Sequence, residues 1–362
     1  MRRCLEKIFL VSIILAFYSS AIGQTQPGLT LGGKFVPKDS FFLFICAGNS
    51  AMSGRDPSPD LVSHPHLWKY EIRPKNYDWL PAVEPICVDP YNTLSSPKGG
   101  PTMPFLKRLA ELYPNYYFGI MQLSSSGWTL QGHFNPGAAE ITELLTQAKL
   151  LKPNVTIAAF VSMLNLVEVQ NNDTANYFQK VVSMVEYVRS ELGMPNLPYI
   201  HAGYPVNAGS NPNGAKYDTS LAAAKSIMRQ IAQIPGGISN SSVIPTEGLT
   251  ICFTCAPSGY YSHYDRAGNV GWGNRTADTV YARKWVPVSQ TKILPQNNSI
   301  YNSYVSEYSH IVFDGKKSPL FGNGKLIEMY SISGKNVSLS QKSNNKIVKG
   351  VYIIRKDKNK KM

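Results

Sequence analysis

The sequence is short of acid. Its 23 Asp and Glu residues face 36 Lys and Arg, a formal net charge of +13 at pH 7, and an excess of that size raises a nucleic-acid reading. Its distribution removes that reading. Much of the surplus lies at the ends, in Arg2, Arg3 and Lys7 and in a tail carrying Lys342, Lys346, Lys349, Arg355, Lys356, Lys358, Lys360 and Lys361 against Asp357. A terminal run of one sign is a solvated end, so no nucleic-acid partner is expected. Long apolar runs are also missing. A membrane-spanning helix needs about 20 apolar residues; Ile8 to Phe17 falls well short, and no stable membrane span is expected. Cysteine is scarce, and Cys252-Phe253-Thr254-Cys255 has no second Cys-x-x-Cys to complete a zinc site. No metal or organic cofactor is implied.

What is present describes a globular, exported chain. A content of 43% hydrophobic and 11% aromatic residues over 362 positions supports one generous α/β domain and a small appendage. Arg2, Arg3 and Lys7 precede the Ile8–Phe17 run, and Ala21-Ile22-Gly23 places small residues at the −3 and −1 positions of a cleavage site, so residues 1–23 read as an export signal. Its removal leaves Cys46, Cys87, Cys252 and Cys255, an even set suited to an oxidising compartment, with three pairings open. The expected location is secreted or at a bacterial cell surface.

Phe41 to Ala47 (FFLFICA) is a continuous apolar run, the pattern of a strand buried on both faces of a parallel sheet. Residues 53–100, rich in Pro, Asn and Asp, read as an irregular insertion. Further strands are expected at 116–123, 155–163 and 197–203, and helices at 104–112, 138–151, 174–192 and 219–234. Strand and helix alternate, so the fold class is α/β: a three-layer α/β/α sandwich on a parallel sheet, with functional residues on loops at the carboxyl ends of the strands. Residues 286–319 lose the alternation and read as a connector. Short strands at 325–331 and 350–355 then make a small C-terminal β module.

The turn after the first strand is Gly48-Asn49-Ser50-Ala51-Met52-Ser53-Gly54. A small residue before a serine at a strand-to-helix turn bends the backbone sharply and exposes the hydroxyl, beside peptide N–H groups that can face an oxyanion. Taken alone, such a turn is common. Far downstream stand Tyr260-Tyr261-Ser262-His263-Tyr264-Asp265 and Gly273-Asn274-Arg275-Thr276-Ala277. Together these segments resemble the SGNH hydrolases, specifically the carbohydrate acetylesterases and sialate O-acetylesterase-like proteins, over residues 36–285. Asp78-Trp79-Leu80-Pro81-Ala82, Gly99-Gly100-Pro101 and Gly119-Ile120-Met121-Gln122 are similar to the family's connection from first to second strand.

The resemblance implies a flavodoxin-like fold, Ser50 as nucleophile and His263 as general base. It implies an oxyanion held by the Ser50 N–H, by an N–H of the Ser126-Gly127 loop and by the Asn165 amide. Asn49, Trp128, Tyr260 and Tyr261 are the expected substrate contacts, and Trp68 and Trp79 are further aromatics expected to be exposed around the cleft. The chain departs from the family where Asn49 replaces Gln, Ala51 replaces Asn, and Met163-Leu164-Asn165 replaces Gln-Gly-Glu. Tyr260 stands where the orienting Asp belongs; Asp265 and Glu247 are the other carboxylates considered for orienting the ring. The expected activity is deacetylation of a polysaccharide or O-acetylated sugar by a serine esterase. The alternative is an esterase-derived carbohydrate-binding protein without turnover.

The tail carries a second resemblance. Asn323-Gly324-Lys325, Met329 to Lys335 with its Ser331-Ile332-Ser333-Gly334-Lys335 turn, and Lys349-Gly350-Val351-Tyr352 into a last strand look like the C-terminal sorting domain of type IX secretion cargo. That implies the type IX machinery as a partner and a sorting domain over 320–357.

Overall fold

In the computed structural model the described residues are 26–88, 98–207, 218–252 and 263–287, together with the backbone of four strands beyond them. The chain divides into two compact units, Met1–Val288 and Ser289–Met362. The first opens with a hairpin of β1 (Gly28–Leu31) and β2 (Lys34–Pro37). It continues through β3 (Phe41–Gly48), α1 (Ser50–Ser53), β4 (Leu67–Tyr70), β5 (Trp79–Pro81), α2 (Thr102–Leu112), β6 (Tyr117–Ser124) and a π-helical turn (Leu130–Phe134). Then come α3 (Ala139–Leu151), β7 (Thr156–Met163), α4 (Leu166–Gln170), α5 (Tyr177–Leu192), β8 (Tyr199–Ala202), α6 (Ala222–Ile231), α7 (Ile234–Gly237), β9 (Ser241–Ile244) and α8 (Arg266–Ala282).

Seven strands form one sheet in the order β5-β4-β6-β3-β7-β8-β9, parallel throughout except for the β4–β5 pair at one edge. The all-apolar β3 is central and wholly buried, as a strand covered on both faces must be. Helices flank the sheet, with α2 packed on α8 and α3 on α5. The reason lies in their spacing. Phe105, Leu106 and Leu109 of α2 are fully buried, with Phe105 set edge-on to Phe44 at 4.8 Å, while Val181, Met184, Val185 and Val188 make the buried stripe of α5 at helical intervals. At the α2–α8 crossing a side chain on Gly273 would put its Cβ 2.6 Å from Phe105 N, so glycine is what lets the helices meet.

The structure departs from the sequence reading in three places. The insertion after β3 contains the strands β4 and β5; a four-residue strand interrupted by a lysine gives no periodic signal, and Lys69 is tolerated because its Nζ donates to Pro85 O at 2.9 Å. The Ser241–Ile244 strand is too polar to announce itself. In the second unit, β10 (Tyr308–Phe313) falls inside the stretch read as connector, because what makes it a strand is its antiparallel pairing with the distant β13 (Gly350–Arg355). β11 (Glu328–Ser331) and β12 (Asn336–Val337) complete that unit's sheet in the order β10-β13-β11-β12. Among the described residues no helix is long and apolar enough to cross a membrane. Cys252 is disulfide-bonded whereas Cys46 and Cys87 carry thiols, which excludes every pairing that uses the latter two. Cys46 lies inside β3, where burial pushes its thiol well above the ordinary range and keeps it inert.

Candidate active site

Three parallel strands end level with one another: Gly48 of β3 pairs with Ser124 of β6 on one side and Met163 of β7 on the other. The loops that follow them therefore emerge together at the carboxyl edge, where open α/β sheets place their ligand sites. After β3 the chain leaves the sheet at Asn49, whose N–H donates to Met163 O at 3.2 Å and whose Oδ1 caps the short α1 by accepting from Ala51 N at 3.0 Å. Ser50 is thus the first helical residue, part-exposed, with the serine side chain beyond the end of the strand. Gly54 ends the turn at φ 89°, and a Cβ there would sit 2.0 Å from Gly99 O. Only glycine allows the insertion to pass so close.

His263 arrives from the other end of the domain. Ile251 and Tyr264 form an antiparallel bridge, Cys252 N donates to His263 O at 2.8 Å, and α8 starts immediately after. The imidazole Nε2 lies 2.8 Å from Ser50 Oγ, and the residue is only 7% exposed. For Nε2 to take a proton from that hydroxyl, the neutral ring must carry its own hydrogen on Nδ1, an atom shielded from solvent. Asp265 faces elsewhere. Its carboxylate caps α8, accepting from Gly268 N at 2.7 Å and from the Thr250 hydroxyl at 2.6 Å. Glu247 is exposed, in the loop whose carbonyls at Pro245 and Glu247 receive the Arg275 guanidinium at 2.7 and 2.8 Å.

The remaining site residues fall as follows. Ser126 accepts from the buried Arg55 guanidinium, which also reaches Gly54 O at 2.9 Å, and Gly127 turns at φ 74° with open space where a side chain would be. Asn165 is buried and sits at φ 143°; its amide donates to Ala202 O at 3.1 Å, on β8, the neighbour of β7 that lies away from Ser50. Asn49 is 1% exposed and its amide Nδ2 is buried among the described residues without a hydrogen-bond partner. The exposed aromatic rim is corrected. Trp128 is 4% exposed, stacked on His133 with ring centroids 5.1 Å apart, and Trp68 is 9% exposed. Trp79 is half-buried and packs edge-on to Phe41 at 4.9 Å, since tryptophan's large apolar area favours packing over a fully solvated rim. Tyr260 and Tyr261 lie outside the described residues.

Sequence reasoning missed the ionic tie that carries the insertion. Glu84, with 1% of its side chain exposed, accepts from Arg266 Nη1 at 3.1 Å and from Gly100 N at 3.0 Å, and Arg266 also reaches Asp60 at 3.4 Å. Burial raises the Glu84 carboxyl above its usual range, and the Asp60 N–H and Arg266 oppose that rise. Arg266 is the first residue of α8, three after His263, so the same charge pins the insertion and the start of the helix behind the imidazole. No local pattern marks a carboxylate 182 positions from its cation. The buried Glu168 and Arg55 were missed for the same reason.

A hydroxyl beside an imidazole, at the carboxyl edge of a mostly parallel sheet flanked by helices, is the framework of an α/β serine hydrolase. A family model described as carbohydrate esterase, sialic acid-specific acetylesterase, matches residues 40–282, more than half of the 362-residue chain, and the chain belongs to that family. The fold is shared with a solved protein from Arabidopsis thaliana (17% identity, 67% of this chain and 98% of that chain covered, TM-score 0.53). It is shared also with NanS (14% identity, 68% and 98% covered, TM-score 0.52). Comparison with curated proteins finds no match.

Proposed function

We propose that this carbohydrate esterase is an exported serine O-acetylesterase that releases acetate from a polysaccharide or an O-acetylated sugar through an acyl-enzyme on Ser50. The observation that carries the reading is the 2.8 Å contact between Ser50 Oγ and His263 Nε2, the distance over which a general base takes a hydroxyl proton. His263 receives that proton as Oγ bonds to the ester carbonyl carbon. The tetrahedral oxyanion is met by the Ser50 N–H, which as the first helical position has no intrahelical partner, and by an N–H of the Ser126–Gly127 loop. The Asn165 amide, which keeps a second hydrogen beyond its bond to Ala202, belongs to the same proposed set. When the intermediate collapses, the sugar oxygen leaves with the proton from the imidazolium; water then attacks the acetyl-serine with His263 again as base, giving acetate and the free hydroxyl. Asn49, Trp128, Tyr260 and Tyr261 remain the proposed substrate contacts, Trp128 through its edge only, given its burial. Export by the 1–23 signal and sorting of the 320–357 segment by type IX machinery complete the proposal.

The test is acetate release from acetylated xylan and from an aryl acetate. The wild type should turn over both and Ser50→Ala neither. A second reading, carbohydrate binding without turnover, draws on Tyr260 standing where the family's orienting Asp belongs, with Asp265 committed to its helix cap. Equal inertness of wild type and Ser50→Ala, with sugar binding retained in both, would establish it instead.

A further inference from the structure

Two segments follow the strands that flank β3 and end level with it: the chain after β6, from Ser125 to Leu130, and the turn after β7 at Leu164 and Asn165. Glu168 stands on α4, three residues after Asn165, and is 1% exposed. Its Oε1 accepts from Leu130 N at 2.7 Å, across 38 positions of chain. Burial pushes this carboxyl above the ordinary range, and the backbone N–H groups of Leu130, Glu168 and Asn165 oppose that shift. Oε2 is buried without a hydrogen-bond partner among the described residues, so the Leu130 bond joins the loop after β6 to α4, the helix that begins directly after the Leu164–Asn165 turn.

The turn after β7 needs such a hold. Asn165 sits at φ 143°, a conformation that persists in a non-glycine residue only when its surroundings over-determine it. From behind, the Tyr177 hydroxyl donates to Leu164 O at 2.9 Å and is itself met by His201 Nε2 at 3.2 Å. On α4 the Val169 N–H donates to Asn165 O at 3.1 Å, so the helix that carries Glu168 is itself tied to the turn. A carboxylate is a costly filler for a buried space, and an apolar residue of the same volume would pack there without the desolvation penalty. What an apolar residue would not supply is an acceptor for the Leu130 N–H.

We propose that Glu168 is a positioning residue that clamps the loop after β6 to the turn after β7, so fixing the spacing of the oxyanion donors against Ser50. The proposal rests on the reading of Ser50 as the nucleophile; the clamp itself is a matter of structure and is tested separately. In the full chain, Glu168→Met keeps the volume without an acceptor, and Glu168→Gln keeps an acceptor at Oε1. Glu168→Met should accelerate amide hydrogen exchange at Leu130 by about tenfold or more, and lower kcat on an aryl acetate by a similar factor with KM nearly unchanged. Glu168→Gln should restore both to within about threefold of wild type. Unchanged Leu130 exchange in Glu168→Met overturns the clamp, and so does a fall in kcat that Glu168→Gln does not rescue. Should Glu168→Met fail to fold, the wild type decides: a Leu130 amide exchanging as fast as an exposed loop amide overturns the proposal, and a protected one supports it. An inert wild type would defeat the esterase reading, while the exchange data would still decide the clamp.

Discussion

Among the described residues two serine hydroxyls lie 2.8 Å from an imidazole nitrogen: Ser50 from Nε2 of His263, and Ser162 from Nδ1 of His201. By distance they are the same pair. Their settings differ in every other respect. Ser162 and His201 are wholly buried, in β7 and β8, and the ring is enclosed by the hydroxyls of Ser162, Tyr199 and Tyr177. Since Tyr177 gives its only hydrogen to Leu164 O, it accepts from His201 Nε2–H, and Nδ1 is left to accept from Ser162 or Tyr199. Burial holds this imidazole neutral, its pKa lowered to about 3. The network is satisfied from within and has no place for a carbonyl carbon. Ser50 stands instead on a turn beyond the strand, part-exposed, with its partner carried in by a different segment. A short serine–imidazole contact identifies a reactive pair only where substrate can reach it.

The widest separation of the two pairs is in turnover. Ser50→Ala or His263→Ala should lower kcat/KM by about 10³-fold or more with little change in the denaturation midpoint. Ser162→Ala should leave activity within severalfold and cost about 1–2 kcal/mol, because Tyr199 still serves Nδ1. Deacetylation kinetics and urea titration on the same preparations separate these outcomes; loss of activity in stable Ser162→Ala would break the distinction.

His201→Ala is the larger blow to the fold. It opens a cavity and removes one partner from each of three buried hydroxyls, and should cost about 3–5 kcal/mol by chemical denaturation. Arg266→Met comes next. It leaves the buried Glu84 without its cation and should cost about 2–3 kcal/mol, less than a fully buried pair because the guanidinium is 35% exposed. Glu84→Gln should cost less than Arg266→Met, since it removes the charge along with the need for a partner; the reverse ranking would show that the tie acts through packing.

The buried ring also predicts a pH response. The unfolded chain protonates His201 near 6.5 and the folded chain only near 3, so between those values the unfolded state binds the extra proton. Stability should therefore fall as pH drops through 6.5 toward 3, with a slope from this group of up to about 1.4 kcal/mol per pH unit. His201→Gln should flatten that slope, and an unchanged slope would mean the ring titrates normally in the fold.

The parts of this fold that sequence reveals are those whose cause is local. Phe41–Ala47 carries the continuous apolar run that suits a doubly covered strand, and 174–192 carries the apolar spacing of one helix face, of which Tyr177–Leu192 is helical. Gly48 to Gly54 shows its turn in its own composition. What stayed hidden depends on a distant partner: β4 on β6, β10 on β13, Glu84 on Arg266, and Glu168 on the Leu130 amide. The tryptophans of the insertion and loops misled in the same way, because exposure is set by what packs against a residue and no nearby sequence reports it. Ser162 and His201 showed nothing, being polar letters inside apolar strands whose satisfaction comes from other strands.

Asn165 gives the smallest and finest test. Its backbone pays about 1–3 kcal/mol for a φ that glycine adopts freely, and its amide returns about 1 kcal/mol through the bond to Ala202 O. Asn165→Gly removes both terms and adds about 0.4–1 kcal/mol of chain entropy to the unfolded state, so stability should change by no more than about 1.5 kcal/mol in either direction. Activity then isolates the amide's chemical role. If its second hydrogen faces the oxyanion, kcat should fall by about tenfold or more at constant stability, in line with the loss of one such donor. If its only task is to hold β7 to β8, kcat should stay within about twofold. Because the backbone can keep the same turn in the glycine variant, a large kcat loss could not be assigned to a collapsed loop, provided the Leu130 amide stays protected from exchange.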